Sequence, residues 1–292
     1  MPLFVFISGM FSHVNDREKY KKGIFRLLET YIVVQLIWKI PQILTNGAVT
    51  LDAVINVIMM PGFAMWYLLS LISWRLIVYL TPPQIINRNP IANIILCIFI
   101  SLLGGIIPVG GEFSLQRTMS LLPFFSLGYY AKEIDIKKYI AKIPLPLAVG
   151  LLLSLFLVYF FVLNRNLGLA FIWRVPYGTK AELPAVFHFL ARSFFLMAAT
   201  ITGAMVMRVV PTRESLSQWG RTTLFIYIYH TFVVEGLRTA FKQGYILQNE
   251  WILIMMSFVI TIGLILLSHI KLFTILMNPV SYYRDINGHK KH

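Results

Sequence analysis

MWYLLSLISWRLIVYL, residues 65–80, decides the fold. Its bulky apolar side chains carry a single charge, Arg75, and the stretch GFA before it (62–64) lengthens the run. The whole approaches the roughly 20 apolar residues a helix needs to cross a hydrocarbon layer. An arginine set several residues inside such a run costs at least about 2.5 kcal/mol unless it is paired or hydrated. Tyr79 follows one turn later on the same face. The run therefore reads as a membrane-spanning helix. Its charge either serves a ligand or reaches along its own alkyl chain to the nearby interface.

Working outward, the same reading applies to 2–13, 27–45, 91–108, 119–131, 145–163, 186–207, 222–236 and 250–270, with the opening segment taken as 62–80. The segments 2–13, 119–131 and 222–236 are short. Segment 51–61 is apolar but shorter than a span, and would lie at the interface or re-enter the membrane. The 292 residues are 58% hydrophobic and 13% charged, where soluble domains carry about 25% charged residues. One soluble core could not bury that much apolar surface, so a lipid bilayer is the expected solvent. The expected class is an all-α, polytopic transmembrane bundle of about nine spans. It forms one membrane domain over 1–277 with a short basic tail over 278–292.

The net charge is +14. On a soluble chain that would suggest nucleic acid. Here the cations lie in short loops, so the positive-inside rule accounts for them and no nucleic-acid partner is expected. Seventeen of the 26 Lys and Arg residues fall in alternate loops on one side, among them Arg17, Lys22, Arg26, Lys138 and Arg208. Six fall on the other, and Lys39, Arg75 and Arg192 lie inside spans. The basic side is cytoplasmic, and so is the C-terminus. That orientation places Met1 outside. A short apolar segment with no preceding charge is a poor start for insertion, so a further helix upstream is expected. Cys97, the single cysteine, excludes an internal disulfide and a cysteine-based metal site; it reads as a small core or lipid-facing residue, and no metal is expected.

Few residues offer chemistry. Lys22 and Arg26 share a face at i, i+4. They suit a phosphate-rich ligand, as point charge and donor fork respectively, or simply touch anionic lipid. Thr223, Tyr227 and His230 form a polar stripe on one helical face. His230 there is either a general acid or base or an interhelical hydrogen-bonding contact. His188 and Arg192, with Glu235, lie toward the outer side; they line an acceptor pocket or, the favoured reading, anchor at the interface, and Lys39 is similar. Trp66 and Tyr67 read as an aromatic belt. His13 reads as solvated, and Glu112 follows a Gly- and Pro-rich turn. No GxSxG, HExxH, P-loop or paired-carboxylate pattern occurs.

Several stretches together resemble the acyltransferase 3 family, especially its sugar O-acetylase branch. MPLFVFISGMF supplies Met1, Pro2, Leu3, Phe4, Ser8 and Gly9 of an opening signature; KKGIFRLLETYIVV places Lys22 and Arg26 at its basic positions. MWYLLSLISWRL matches at Trp66, Tyr67, Leu68 and Arg75, and LPFFSLGYYAKE at Phe125, Leu127, Gly128 and Tyr129. GRTTLFIYIYH matches at Gly220, Thr223, Leu224, Tyr227 and His230, and the resemblance runs from residue 1 to about 270. The resemblance implies a ten-helix bundle that moves an acyl group, commonly acetyl from acetyl-CoA on the cytoplasmic side, onto a hydroxyl of a carbohydrate or cell-surface glycan. It implies a bacterial cytoplasmic membrane, acyl-CoA as co-substrate and no permanently bound cofactor. By the same carry-over, Lys22, Arg26 and Arg75 attract the CoA phosphates, and His230 lies in the bundle core as the candidate catalytic group. The family's first helix, with an arginine and a central histidine, would precede Met1; the expectation is that this chain starts after it. A transporter or flippase for a lipid-linked or small polar substrate, with Arg75, His230 and Arg192 lining a passage, is the alternative, and a non-catalytic membrane partner is a third reading.

Overall fold

The computed structural model describes residues 1–45, 65–107, 112–161, 185–210, 223–242 and 250–270, together with 55, 59–62 and 275. Most of segment 51–61, Arg165, Arg174, Lys180, Gly220 and the tail 278–292 lie outside the described residues. Every regular element described is helical, as the hydropathy pattern requires. The longer helices are α1 (Pro2–Met10), α2 (Arg17–Thr45), α3 (Trp66–Leu80), α5 (Pro90–Leu103), α6 (Leu115–Tyr129), α8 (Leu145–Phe161), α9 (Ala185–Val209), α10 (Thr223–Lys242) and α11 (Glu250–Leu267). Short α4 (Pro83–Ile86) and α7 (Ile136–Ala141) lie in connections. Each apolar segment read from the sequence carries one of the longer helices.

One boundary differs by a wide margin. α2 starts at Arg17, ahead of the apolar segment 27–45, and so takes in Lys22 and Arg26, which the sequence places at a helix start. The cause is local. The Asp16 carboxylate accepts the backbone N–H groups of Glu18 (3.0 Å) and Lys19 (3.1 Å), capping donors a helix start leaves open. The Lys19 N–H holds this carboxyl below its ordinary range. Asn89 plays the same part for α5, accepting from the Ala92 N–H at 3.1 Å, with Pro90 in the first turn.

The chain divides into two compact units, one of Met1–Ile24 with Tyr67–Pro211 and one of Phe25–Trp66 with Thr212–His292. In the first unit α1 lies along α6 with almost nothing between the backbones. A Cβ on Gly9 would overlap the Phe125 carbonyl oxygen, and one on Gly128 the Phe6 carbonyl oxygen. Small residues that let helices touch are a standard device where both partners are apolar and the hydrophobic effect gives no preference. Polar side chains tie the same unit together. Ser70 and Thr118 hydroxyls pair at 2.7 Å, Trp74 Nε1 donates to the Thr118 carbonyl at 3.0 Å, and the Ser101 hydroxyl donates to the Ser120 carbonyl at 2.9 Å. These last two acceptors flank the Met119 carbonyl, which loses its helical partner because Pro123 has no N–H.

In the second unit α10 packs on α11, and Trp38 of α2 meets Phe232 of α10 edge-on at 5.3 Å. Gln35, fully buried, clamps the chain at 60–62. It donates to the Met60 carbonyl (2.9 Å) and accepts the Gly62 N–H (3.0 Å).

The outer surface inverts that of a water-soluble protein. Ile91, Ile95 and Phe99 on α5, Leu190, Phe194 and Met197 on α9, and Phe258, Val259 and Leu266 on α11 are exposed, while Ser12, Gln35, Ser101, Gln116 and Thr231 are buried. Such a surface is solvated favourably by hydrocarbon, not water. Among the described residues Val186–Val209 is long and apolar enough to cross a membrane by itself; Trp66–Leu80, Pro90–Leu103, Leu145–Val158 and Met255–Leu267 are shorter apolar helices.

Candidate functional site

Arg75 organises a polar cluster at the end of α3, inside the first unit. The cluster begins on α1, where Ser8 and Ser12 stand one turn apart. The Ser8 hydroxyl pairs with the Tyr67 hydroxyl through a short hydrogen bond and reaches the Phe4 carbonyl at 2.9 Å. The Ser12 hydroxyl, fully buried, donates to the Ser8 carbonyl at 2.6 Å and accepts from Arg75 Nε at 3.3 Å. Arg75 thus turns inward to α1 and does not simply snorkel along α3. Its two terminal Nη groups make no hydrogen bond or ion pair among the described residues. Such a half-buried guanidinium has a pair of donors whose geometry matches that of a carboxylate or phosphate.

The first turn of α2 closes over this arginine. The Arg75 guanidinium lies 6.0 Å from the Tyr20 ring centre, Tyr20 stacks on Tyr79 at 6.4 Å, and Arg17 covers Tyr79 at 4.7 Å. The result is a ladder of arginine, tyrosine, tyrosine and arginine between α2 and α3. Gly23 permits the approach: a Cβ there would stand 3.8 Å from Arg75 Nη1. Lys22, beside Gly23, is exposed. Burial pushes the Tyr20 hydroxyl up to about 12, with Arg75 pulling it the other way, so at neutral pH it is a donor. That hydroxyl faces Ser12 yet makes no hydrogen bond of sound geometry.

His13 corrects the sequence reading. It is not solvated: its ring stacks on Tyr129 at 4.6 Å, and Nε2 is buried without a partner. Buried polar atoms are nearly always satisfied, so the Tyr20 hydroxyl and His13 Nε2 are exceptions among the described residues. Tyr67 and Trp66 also depart from expectation. Both are buried, Tyr67 on Ser8 and on Trp74 (6.5 Å, edge-on), and neither forms an interfacial belt. Arg192 is buried rather than interfacial; Nη1 donates to the Ser101 carbonyl at 3.2 Å, tying α9 to α5.

The remaining expected residues belong to the second unit. Arg26 follows Lys22 by one turn along α2 and is exposed. His230 is half-buried on α10 with Tyr227 beside it at 5.6 Å, ring to ring. His230 Nδ1 lies 3.1 Å from the Ile226 carbonyl, an acceptor only. Nδ1 must then carry the proton, which leaves Nε2 with a lone pair in the neutral ring. Of the four residues singled out for chemistry, Lys22 and Arg75 thus fall in one unit, Arg26 and His230 in the other.

A family model described as an acyltransferase domain matches residues 1–270. The chain belongs to the acyltransferase 3 family. No curated protein and no solved structure matches it. Membership of the acyltransferase 3 family gives acyl transfer at a membrane as the general activity. The open fork of Arg75 lies at one end of the ladder whose other end is Arg17.

Proposed function

We propose that the protein is a membrane-embedded O-acyltransferase that moves an acyl group, acetyl in the first instance, from acyl-CoA to a hydroxyl of a carbohydrate or cell-surface glycan. In this reading the chain crosses a bacterial cytoplasmic membrane about nine times, with its cationic ends and C-terminus in the cytoplasm. Acyl-CoA is a co-substrate, and no cofactor stays bound between turnovers. The CoA phosphates meet Arg75, Lys22 and Arg26. Arg75 supplies two parallel donors, and the lysine supplies point charge. The observation that carries this is the uncommitted Arg75 fork in a chain of the acyltransferase 3 family.

The chemistry needs a base for the acceptor hydroxyl. As the hydroxyl oxygen attacks the thioester carbonyl, its proton passes to the base, and CoA leaves as the thiol. His230 is the candidate within this chain because its Nδ1 bond directs the Nε2 lone pair outward from its own helix. A dry, polar-lined interior favours the step.

Membranes carrying the chain, incubated with acetyl-labelled acetyl-CoA and glycan, test the proposal. Label should appear on the glycan as an alkali-labile ester. Solute movement across sealed vesicles with no acyl-CoA consumed would instead favour the transporter reading.

A further inference from the structure

A second cationic cluster stands where α7 meets the last turn of α9, on elements that take no part in the Arg75 site. Arg208 in that last turn is half-buried, and its Nε donates to the Ile143 carbonyl at 2.7 Å. The bond fixes the guanidinium, while its two Nη groups make no hydrogen bond or ion pair among the described residues. Lys142, the residue before Ile143, ends α7 and is exposed, as are Lys137 and Lys138. α7 packs on α9, keeps Ile136 and Ile140 half-buried, and leaves Tyr139 exposed beside Lys142, whose Nζ lies 5.7 Å from the ring centre. None of the three lysines forms an ion pair among the described residues. The acidic side chains of this stretch, Glu133 and Asp135, precede α7, at the opposite end from Lys142.

What borders these cations identifies their partner. Val209 follows Arg208 directly, Leu145 follows Ile143 by two positions, and both are exposed, as are Val210 and Leu147. Open donors and open hydrocarbon thus share one edge of the protein. A soluble phosphate would satisfy the guanidinium and gain nothing from Leu145 or Val209. A phospholipid has both parts: phosphate oxygens that match the fork of Arg208 and the point charges of the lysines, and chains that solvate the apolar border. The surplus of cations favours a headgroup of net negative charge.

We propose that Arg208, Lys138 and Lys142 form a docking site for the headgroup of an anionic phospholipid, whose chains lie against the outer sides of α8 and α9. The inference uses the membrane setting of the protein and is independent of the acyl-CoA reading.

The full chain in nanodiscs, with hydrogen exchange read at the α7 amides, gives the test. Phosphatidylglycerol mixed into phosphatidylcholine discs should slow that exchange several-fold. Glycerol phosphate added to discs of phosphatidylcholine alone should not. A cation close to an anionic bilayer surface strengthens attachment about fivefold, so Lys138→Gln combined with Lys142→Gln should remove most of the slowing. Both side chains are exposed and make no hydrogen bond or ion pair among the described residues, so the fold should tolerate their loss. Arg208→Gln is the second variant and should lose the effect likewise. Equal exchange in the two bilayers overturns the inference, and so does a slowing that either variant retains in full. Slowing by glycerol phosphate as strong as by phosphatidylglycerol also overturns it, because the site would then take a soluble phosphate ester.

Discussion

Replacing Arg75 by glutamine should weaken CoA binding by about ten- to a hundredfold with little effect on folding. The magnitude follows from how the guanidinium is used. Nε is committed to Ser12 at 3.3 Å, a long bond, while both Nη groups are open. A hydrogen bond to a charged partner contributes about 1.5–3 kcal/mol, and each 1.4 kcal/mol is about tenfold in affinity. Glutamine removes the charge and the fork together. Stability should suffer less, because Ser12 keeps its own bond to the Ser8 carbonyl at 2.6 Å and Tyr20 keeps its stack on Tyr79. Arg75→Lys keeps the charge and loses the fork, so it should fall between the two. Equilibrium binding of labelled CoA to nanodisc-embedded protein, alongside thermal melting, separates the effects. Arg238→Gln, on an exposed pair with Glu235 at 3.2 Å, is the control. An Arg75→Gln protein that binds CoA within about twofold of the parent, at matched melting temperature, would refute the anion role.

Other substitutions probe different parts. Gly128→Ala drives a methyl into the Phe6 carbonyl; overpacking of this kind costs about 1–3 kcal/mol, so the melting temperature should drop, and an unchanged one would show that α1 is not held against α6. His230→Gln should reduce turnover by about 10²- to 10⁴-fold if the ring is the base, with CoA affinity retained; an unaltered rate removes it from the chemistry. Asp16→Ala should speed hydrogen exchange at the Glu18 and Lys19 amides. Because folding lowers the Asp16 pKa, the cap's contribution is complete above the unfolded value of about 3.9 and disappears as pH falls through the lower folded value. Acidification of the parent should therefore reproduce the alanine exchange pattern at those two amides.

The helices were legible because long apolar runs have few other uses. That α2 begins as early as Arg17 was not, although its signal was present: Asp16 precedes REKY, and a capping residue carries a helix beyond its apolar run. The partners of Arg75 escaped because they come from elsewhere in the chain. Ser12 is 63 positions away, and no periodicity within α1 or α3 announces that these helices meet there. His13 was misread for a related reason. Its neighbours in sequence are polar, but its neighbour in space is Tyr129. Arg192 shows the converse: its position suggested an interfacial anchor, whereas a carbonyl on α5 offered it a place inside.

The contact of α1 with α6 has a mechanical meaning. Where side chains separate two helices, a small axial slip is absorbed by rotamer changes. At Gly9 and Gly128 no side chains intervene, so a slip carries a neighbouring bulky residue into a carbonyl group. The pair therefore engages like a key in a keyway. Ser8, Ser12 and His13 are held at one height along the bundle, and any shift of α6 would be passed undiminished to the Arg75 end of the protein.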